Sequence, residues 1–430
     1  MRLLLCMLLA GALAAQEVGY EPLIHRLGSP DPKVRREAAE QLGELGDRRA
    51  IPALGGLIKD LDEETRFRAV QALAKMASPD TVPFLSAALR DPSGRVKQTA
   101  IEGLVILYIG PQDSGGLRGF FSGAVELFRH SDEDLMVAPG TAVDPRAVEA
   151  LANALTDPDA QAAKSAARAL GVLRGRAALP AMSKALASAP REVQTELLRA
   201  FQKIRDPQPA PQVAGLLGSG DRDIRSRAAY TLGLLGARQQ SPALRKLFEA
   251  DRERSVRRSA FEALSLMPAA EQAAWFAGFL QDKDDRLREF SAEALGRLPQ
   301  AEPKADIDNR LRSRHAEEKS ARVRLALAFA LVARGQGEFL SGVMDSLDSS
   351  LYRGYGRAYL IELGRDATRL PSYYPHLRSE KANVRRYLCE VFGALANPAA
   401  LPQVKPLMND SDGDVAMAAA RAVQIMMRFQ

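Results

Sequence analysis

The sequence predicts an all-α chain, an α-α superhelix of about twelve helical hairpins, and three observations carry that reading. The first is recurrence: DPKVRREAAEQLGELG, Asp31 to Gly46, returns with changes about every 31 residues. Alignment on Val34 gives equivalents at Thr65, Val96, Ala162, Val193, Ile224, Val256, Leu287, Val323, Val384 and Val415, and a degenerate copy near Tyr355. The second is periodicity. Eight residues beyond each anchor stand Leu42, Leu73, Leu104, Leu170, Phe201, Leu232, Leu264, Leu295, Leu331, Phe392 and Val423. Apolar side chains at relative positions 0, 4, 8 and 11 lie on one stripe of a 3.6-residue helix, here named helix B. The third is punctuation: Asp31, Asp62, Asp159, Asp221, Asp284 and Asp412 stand three residues before an anchor, where a carboxylate accepts from open backbone amides.

The elements follow in order. Residues 1–14, MRLLLCMLLAGALA, have a positive start at Arg2, an apolar core Leu3 to Leu9 and a small-residue cleavage site, so a signal peptide and an exported protein are expected. Residues 15–108 hold repeats one to three, each with an apolar helix A before helix B, as in AIPALGGLIKD (Ala50 to Asp60). Position 4 of helix B is small at Ala38, Ala69, Ala100, Ala166, Ala228, Ala260 and Ala419, which lets a neighbouring helix come close. Residues 109–146 are an insertion, because the anchor spacing jumps from 31 to 66. Leu117, Phe120, Phe121, Ala124, Val125 and Phe128 give it the face of a short amphipathic helix, and a hinge is expected there. Residues 147–430 hold repeats four to twelve, with the charged segment QAEPKADIDNRLRSRHAEEKSARVR expected to lengthen a helix A or its loop as a solvated face.

The motif D-x-x-V-R-x-x-A-x-x-x-L over residues 20 to 428 resembles the HEAT-repeat superfamily, in particular the short bacterial HEAT-like repeats of bilin-lyase proteins. The resemblance implies a right-handed solenoid with the B helices on its concave side. Packed helices about 10 Å apart would give twelve units a length on the order of 100 Å. A lone hairpin cannot bury its apolar face, so each unit must stack on the next.

Signatures of chemistry are missing. His25, His130, His315 and His376 are scattered and none is followed by Glu, unlike the paired His-Glu motifs of the HEAT-like deoxyhypusine hydroxylases; no cofactor or metal is expected. Cys389, alone once the signal peptide is removed, sits where other B helices carry Ala or Val and is expected as a buried hydrophobe. Net charge is +6, or +5 without Arg2, spread over mixed signs, which gives no basic stripe for nucleic acid. In HEAT repeats, which the motif resembles, the arginine that follows the anchor (Arg35, Arg66, Arg225, Arg257, Arg288, Arg324, Arg385) commonly pairs with the helix-starting Asp of its own or an adjacent unit, and Asp31 with Arg35 offers such a partner at i, i+4.

A non-catalytic scaffold is the leading expectation, exported to a bacterial periplasm or envelope and binding another protein along its B helices. It is not membrane-spanning, and its oligomeric state is open. Candidate contacts are Tyr352, Tyr355, Arg357, Tyr359, Tyr373 and Tyr374, in a stretch where tyrosine and arginine interleave and where aromatic infill of an irregular repeat core is the plainer reading, together with Phe120, Phe121 and Phe128. One alternative is a binder of anionic envelope polymers, glycan or lipid, through the arginine ladder. A lyase-type enzyme is the third, and export to the envelope argues against it.

Overall fold

The computed structural model describes residues 19–109, 135–138, 140–300 and 303–428. The expected signal peptide, the amphipathic helix of the insertion, and Phe120, Phe121 and Phe128 lie outside the described residues. The chain divides into two compact units at Leu235/Gly236.

The first unit contains the B helices Pro32–Leu45, Glu63–Met76, Gly94–Ile109, Ala160–Val172, Arg191–Ile204 and Arg222–Leu234. The second contains Arg254–Leu266, Asp285–Gly296, Ala321–Ala333, Arg353–Gly364, Ala382–Leu395 and Gly413–Met427. These are the twelve units expected, the degenerate copy included, and no strand occurs among the described residues. All six aspartates named from the sequence cap their helices; Asp31 accepts from the Lys33 amide at 2.8 Å and Asp62 from that of Thr65 at 2.8 Å. The A helices are shorter, and several run into a 3-10 turn, as Ile51–Gly56 into Leu57–Lys59, with a proline near the start where no amide bond is lost. Lys304–Glu317 is longer, a full helix of 14 residues that buries Ile307 and Leu311 and leaves most of its charges in water.

Successive B helices press together where both are small. A methyl group on Gly43 would stand 2.7 Å from the Ala72 Cβ, and one on Gly171 only 2.8 Å from the Ala200 Cα, so glycine there sets the approach distance. Anchors and position-8 residues form the core: Val34 is half-buried, while Val96, Val193, Val256, Leu42, Phe201 and Phe392 are at most 1% exposed. Cys389 is fully buried, and burial pushes its thiol up to about 12, the state of an inert core side chain.

The repeat arginine behaves differently from the sequence expectation. Arg35 does not reach Asp31. Its guanidinium clasps Asp60, two residues before the next N-cap, at 2.7 and 2.8 Å, while Nη1 donates to the Ser29 carbonyl of its own turn at 2.8 Å. Arg66 with Asp91, Arg288 with Glu318 and Arg385 with Asp410 repeat the arrangement at 2.7 to 2.8 Å. Both acids accept a backbone amide, Asp31 from Lys33 at 2.8 Å and Asp60 from Asp62 at 2.9 Å, but it is Asp60 that meets the Arg35 fork with both oxygens. Each arginine therefore staples one inter-helix turn to the next.

The staple survives the insertion. Lys97 takes the arginine position and meets Asp157 at 2.6 Å, and Ser165 donates to the Gln98 side chain at 2.7 Å. The third and fourth B helices thus pack as direct neighbours, which removes the physical basis for the hinge expected between them. On the return, Val137 donates its amide to the Val172 carbonyl at 3.0 Å, and Leu135 to Ala138 run without helix across the ends of B helices.

Candidate functional site

On each B helix the anchor stripe faces inward, and the positions before and between its residues form the opposite face. In the first unit that face is tied across repeats by charge. Glu64 accepts from Arg68 at 3.0 Å and from Arg95 at 2.7 Å, and the Arg95 guanidinium lies 3.4 Å over the Phe67 ring. Glu196, 3% exposed, accepts from Arg168 of the preceding helix and from Arg199 of its own, at 3.0 and 2.9 Å. In the second unit Glu289 is 1% exposed and accepts from Arg286 at 2.9 Å and Arg322 at 2.7 Å. Arg297 links Glu293 to Glu362, the latter at 2.9 Å. Burial pushes the nearby Glu262 carboxyl up to about 7, with Arg286 opposing and Glu293 adding to the rise.

The tyrosines expected to form one patch are divided between core and surface. Tyr359 is buried, stacked on Phe329 at 4.5 Å, and donates its hydroxyl to Glu293. Tyr373 is buried as well, donating to the Leu360 carbonyl at 2.9 Å. Both fill space under an irregular repeat, so neither presents surface to a partner. Tyr374 stacks on Phe392 at 5.8 Å, and Tyr352 precedes its helix half-buried. Tyr355 and Arg357 do stand on the B-helix face. Arg322 covers the Tyr355 ring at 4.2 Å, and Arg357 pairs with Glu390 at 3.0 Å. Near them Tyr387, outside the candidate set, accepts from Arg353 at 2.6 Å and has Arg386 against its ring at 5.2 Å.

The arginine ladder is likewise engaged. Arg35, Arg66, Arg288 and Arg385 expose only 12 to 14% of their side chains and face carboxylates, so they are structural staples and do not offer a ligand surface. One signal for their true partners was present in the sequence. Where the basic residue is replaced, by Ala163 or Gln194, the acid 25 residues on is replaced too, by Ser188 and Ser219.

Among the described residues no group of three or more His, Cys, Asp or Glu side chains is placed to hold a metal, and no helix is long and apolar enough to cross a membrane. What the arrangement offers chemically is a surface of paired charges and aromatic rings on rigid helices.

Comparison with known proteins agrees with the helical hairpins. The family model for HEAT repeats matches residues 20–105 and 179–265. No curated protein sequence matches the chain. Among solved structures, an engineered protein is similar at 19% identity over 94% of this chain and 98% of its own, with a TM-score of 0.36. Importin beta is similar at 13% identity over 95% of this chain and 67% of its own, with a TM-score of 0.43. The complex of CpcE and CpcF of phycocyanin lyase from Nostoc sp. is similar at 20% identity over 65% of this chain and 95% of its own, with a TM-score of 0.30. By the recurring hairpins and the family match, residues 20–105 and 179–265 of the chain are HEAT repeats.

Proposed function

We propose that the chain is a non-catalytic scaffold that holds another protein along the B-helix faces of its repeats. One observation carries this reading: successive B helices pack so closely, at contacts such as Gly43 with Ala72 and Gly171 with Ala200, that their outer side chains follow one another without an intervening loop. Such a surface suits a macromolecule better than a small substrate, since side chains from successive repeats line it in sequence. Photo-crosslinking tests it. A crosslinking amino acid at Arg95, Tyr230 or Tyr355 is expected to trap a common partner from the native host, while the same group at Ala53 or Lys246, on A helices, traps none. Equal trapping on both sides, or none on the B side, sinks the reading.

Export belongs to the same proposal, supported by the sequence of residues 1–14 alone. N-terminal sequencing of the protein from an envelope fraction is expected to start at Ala15. A chain beginning at Met1 or Arg2, recovered from the cytoplasm, overturns it.

A further inference from the structure

At one junction of the second unit both members of the staple are present in the sequence, yet the staple is open. Arg257 follows the seventh anchor and Asp282 stands 25 residues on, the spacing of Arg35 and Asp60. Arg257 Nη1 donates to the Asp251 and Arg252 carbonyls of its own turn at 2.8 and 3.0 Å, as Arg35 does to Ser29 and Pro30. Its Nε and Nη2, the two atoms with which Arg35 clasps Asp60, meet no carboxylate among the described residues. Asp282 accepts the Asp284 amide at 2.7 Å, as Asp60 accepts that of Asp62, and pairs with no cation among the described residues.

A cavity of about 250 Å³ opens between the two turns, lined by Arg257 and Asp282 and by the apolar Phe248 and Leu287. The apolar wall is held in place. Phe248 packs on Phe261, Phe279 and Trp275 with ring centroids 5.0, 5.5 and 5.7 Å apart, and Leu287 is the buried anchor of the eighth repeat. Of the other lining residues, Arg254 and Arg258 both donate to Asp284, at 3.1 and 2.7 Å, and Lys283 is exposed. A guanidinium and a carboxylate that line one cavity without meeting suit a ligand that carries both opposite charges. An anion alone would leave Asp282 unmatched, and a cation alone would leave Arg257 so. Guanidinium forks hold carboxylates in bidentate fashion, and an ammonium brings three donors to a carboxylate. The volume lies just below the roughly 300–1,000 Å³ usual for ligand pockets, which limits the ligand to a small one.

We propose that this cavity binds a free α-amino acid with an apolar side chain. The ligand carboxylate takes the Arg257 fork, its ammonium meets Asp282, and its side chain lies against Phe248 and Leu287. Bound there, it completes the staple between the seventh and eighth repeats. The inference goes beyond the scaffold reading and does not depend on it, because the cavity lies at the inter-helix turns. The test is isothermal titration calorimetry of the full chain with L-leucine and L-phenylalanine at neutral pH. Saturable binding of at least one of them is expected, with at least tenfold weaker binding of its N-acetyl derivative, which lacks the ammonium, and of its amide, which lacks the carboxylate. Arg257→Gln and Asp282→Asn are each expected to weaken binding at least tenfold; the second keeps an acceptor for the Asp284 amide, and helical circular dichroism confirms that both variants are folded. Lys246→Glu, exposed on the helix that carries Phe248, is expected to leave binding unchanged. Saturating ligand is also expected to slow amide exchange at residues 251–254 and 282–285. No binding of either amino acid, or undiminished binding in both variants, overturns the proposal. So does equal affinity for the N-acetyl or amide derivative, which would make the cavity a site for a simple ion.

Discussion

Glu318→Gln is expected to destabilise the helices around it by about 3–5 kcal/mol at neutral pH, the range for breaking a buried ion pair from one side. The carboxylate is 1% exposed at its side chain and accepts from Arg288 at 2.8 and 3.1 Å, from Arg314 at 2.7 and 3.0 Å, and from the Ser320 amide at 2.8 Å. Substitution leaves two guanidinium groups facing an uncharged amide. Burial alone would raise the pKa of this carboxyl; the bonds from Arg288, Ser320 and Arg314 overcome burial and hold it at about 2. The ordinary glutamate value is about 4.3. A depressed folded-state pKa contributes stability that is fully present above the unfolded value and is lost as pH falls through the folded one. The penalty of Glu318→Gln should therefore be constant from pH 7 to about 5, then shrink between about pH 4 and 2 as the parent carboxylate is protonated. Hydrogen exchange of Asp285–Gly296 and Lys304–Glu317, measured across that range, checks both statements. A penalty under about 1 kcal/mol, or one that is flat to pH 2.5, contradicts the assignment.

The second large effect is a rescue. Arg66→Gln strands Asp91, whose side chain is 4% exposed, and is expected to cost about 3 kcal/mol. Adding Asp91→Ser is expected to return most of that. The double variant copies the pair the chain itself uses at Gln194 and Ser219. There the Ser219 hydroxyl accepts from the Asp221 amide at 3.2 Å, as Asp91 does from Ser93 at 2.8 Å, so the turn keeps its acceptor. A double-mutant cycle by urea unfolding should give a coupling of about 2 kcal/mol between the two positions. Additive losses would mean that the staple is decorative.

These two cases also mark what was legible in the sequence. Within one helix, local rules were sufficient. The spacing from Asp62 to Thr65 to Leu73 specifies a cap, an anchor and a core contact, and all three stand where expected. The lengthened helix Lys304–Glu317 and the buried Cys389 follow from the same short-range patterns. Between repeats those rules fail. Asp31 is the i, i+4 neighbour of Arg35, yet Arg35 pairs 25 residues downstream with Asp60, which only the stacking of the next repeat brings within reach. Tyr359 could be read as core infill or as a contact residue, and local spacing could not choose between them because Phe329 and Glu293, which cover and bond it, come from the two preceding repeats.

The staples give each repeat a polarity, a cation reaching forward and an acid receiving from behind. A duplicated repeat bearing both, such as the one containing Asp60 and Arg66, is compatible with its own copy. The repeats carrying Ala163 with Ser188, and Gln194 with Ser219, speak a different dialect. Unequal crossing-over within either class yields a longer array that still closes every charge, whereas a junction between classes leaves an orphan guanidinium or carboxylate.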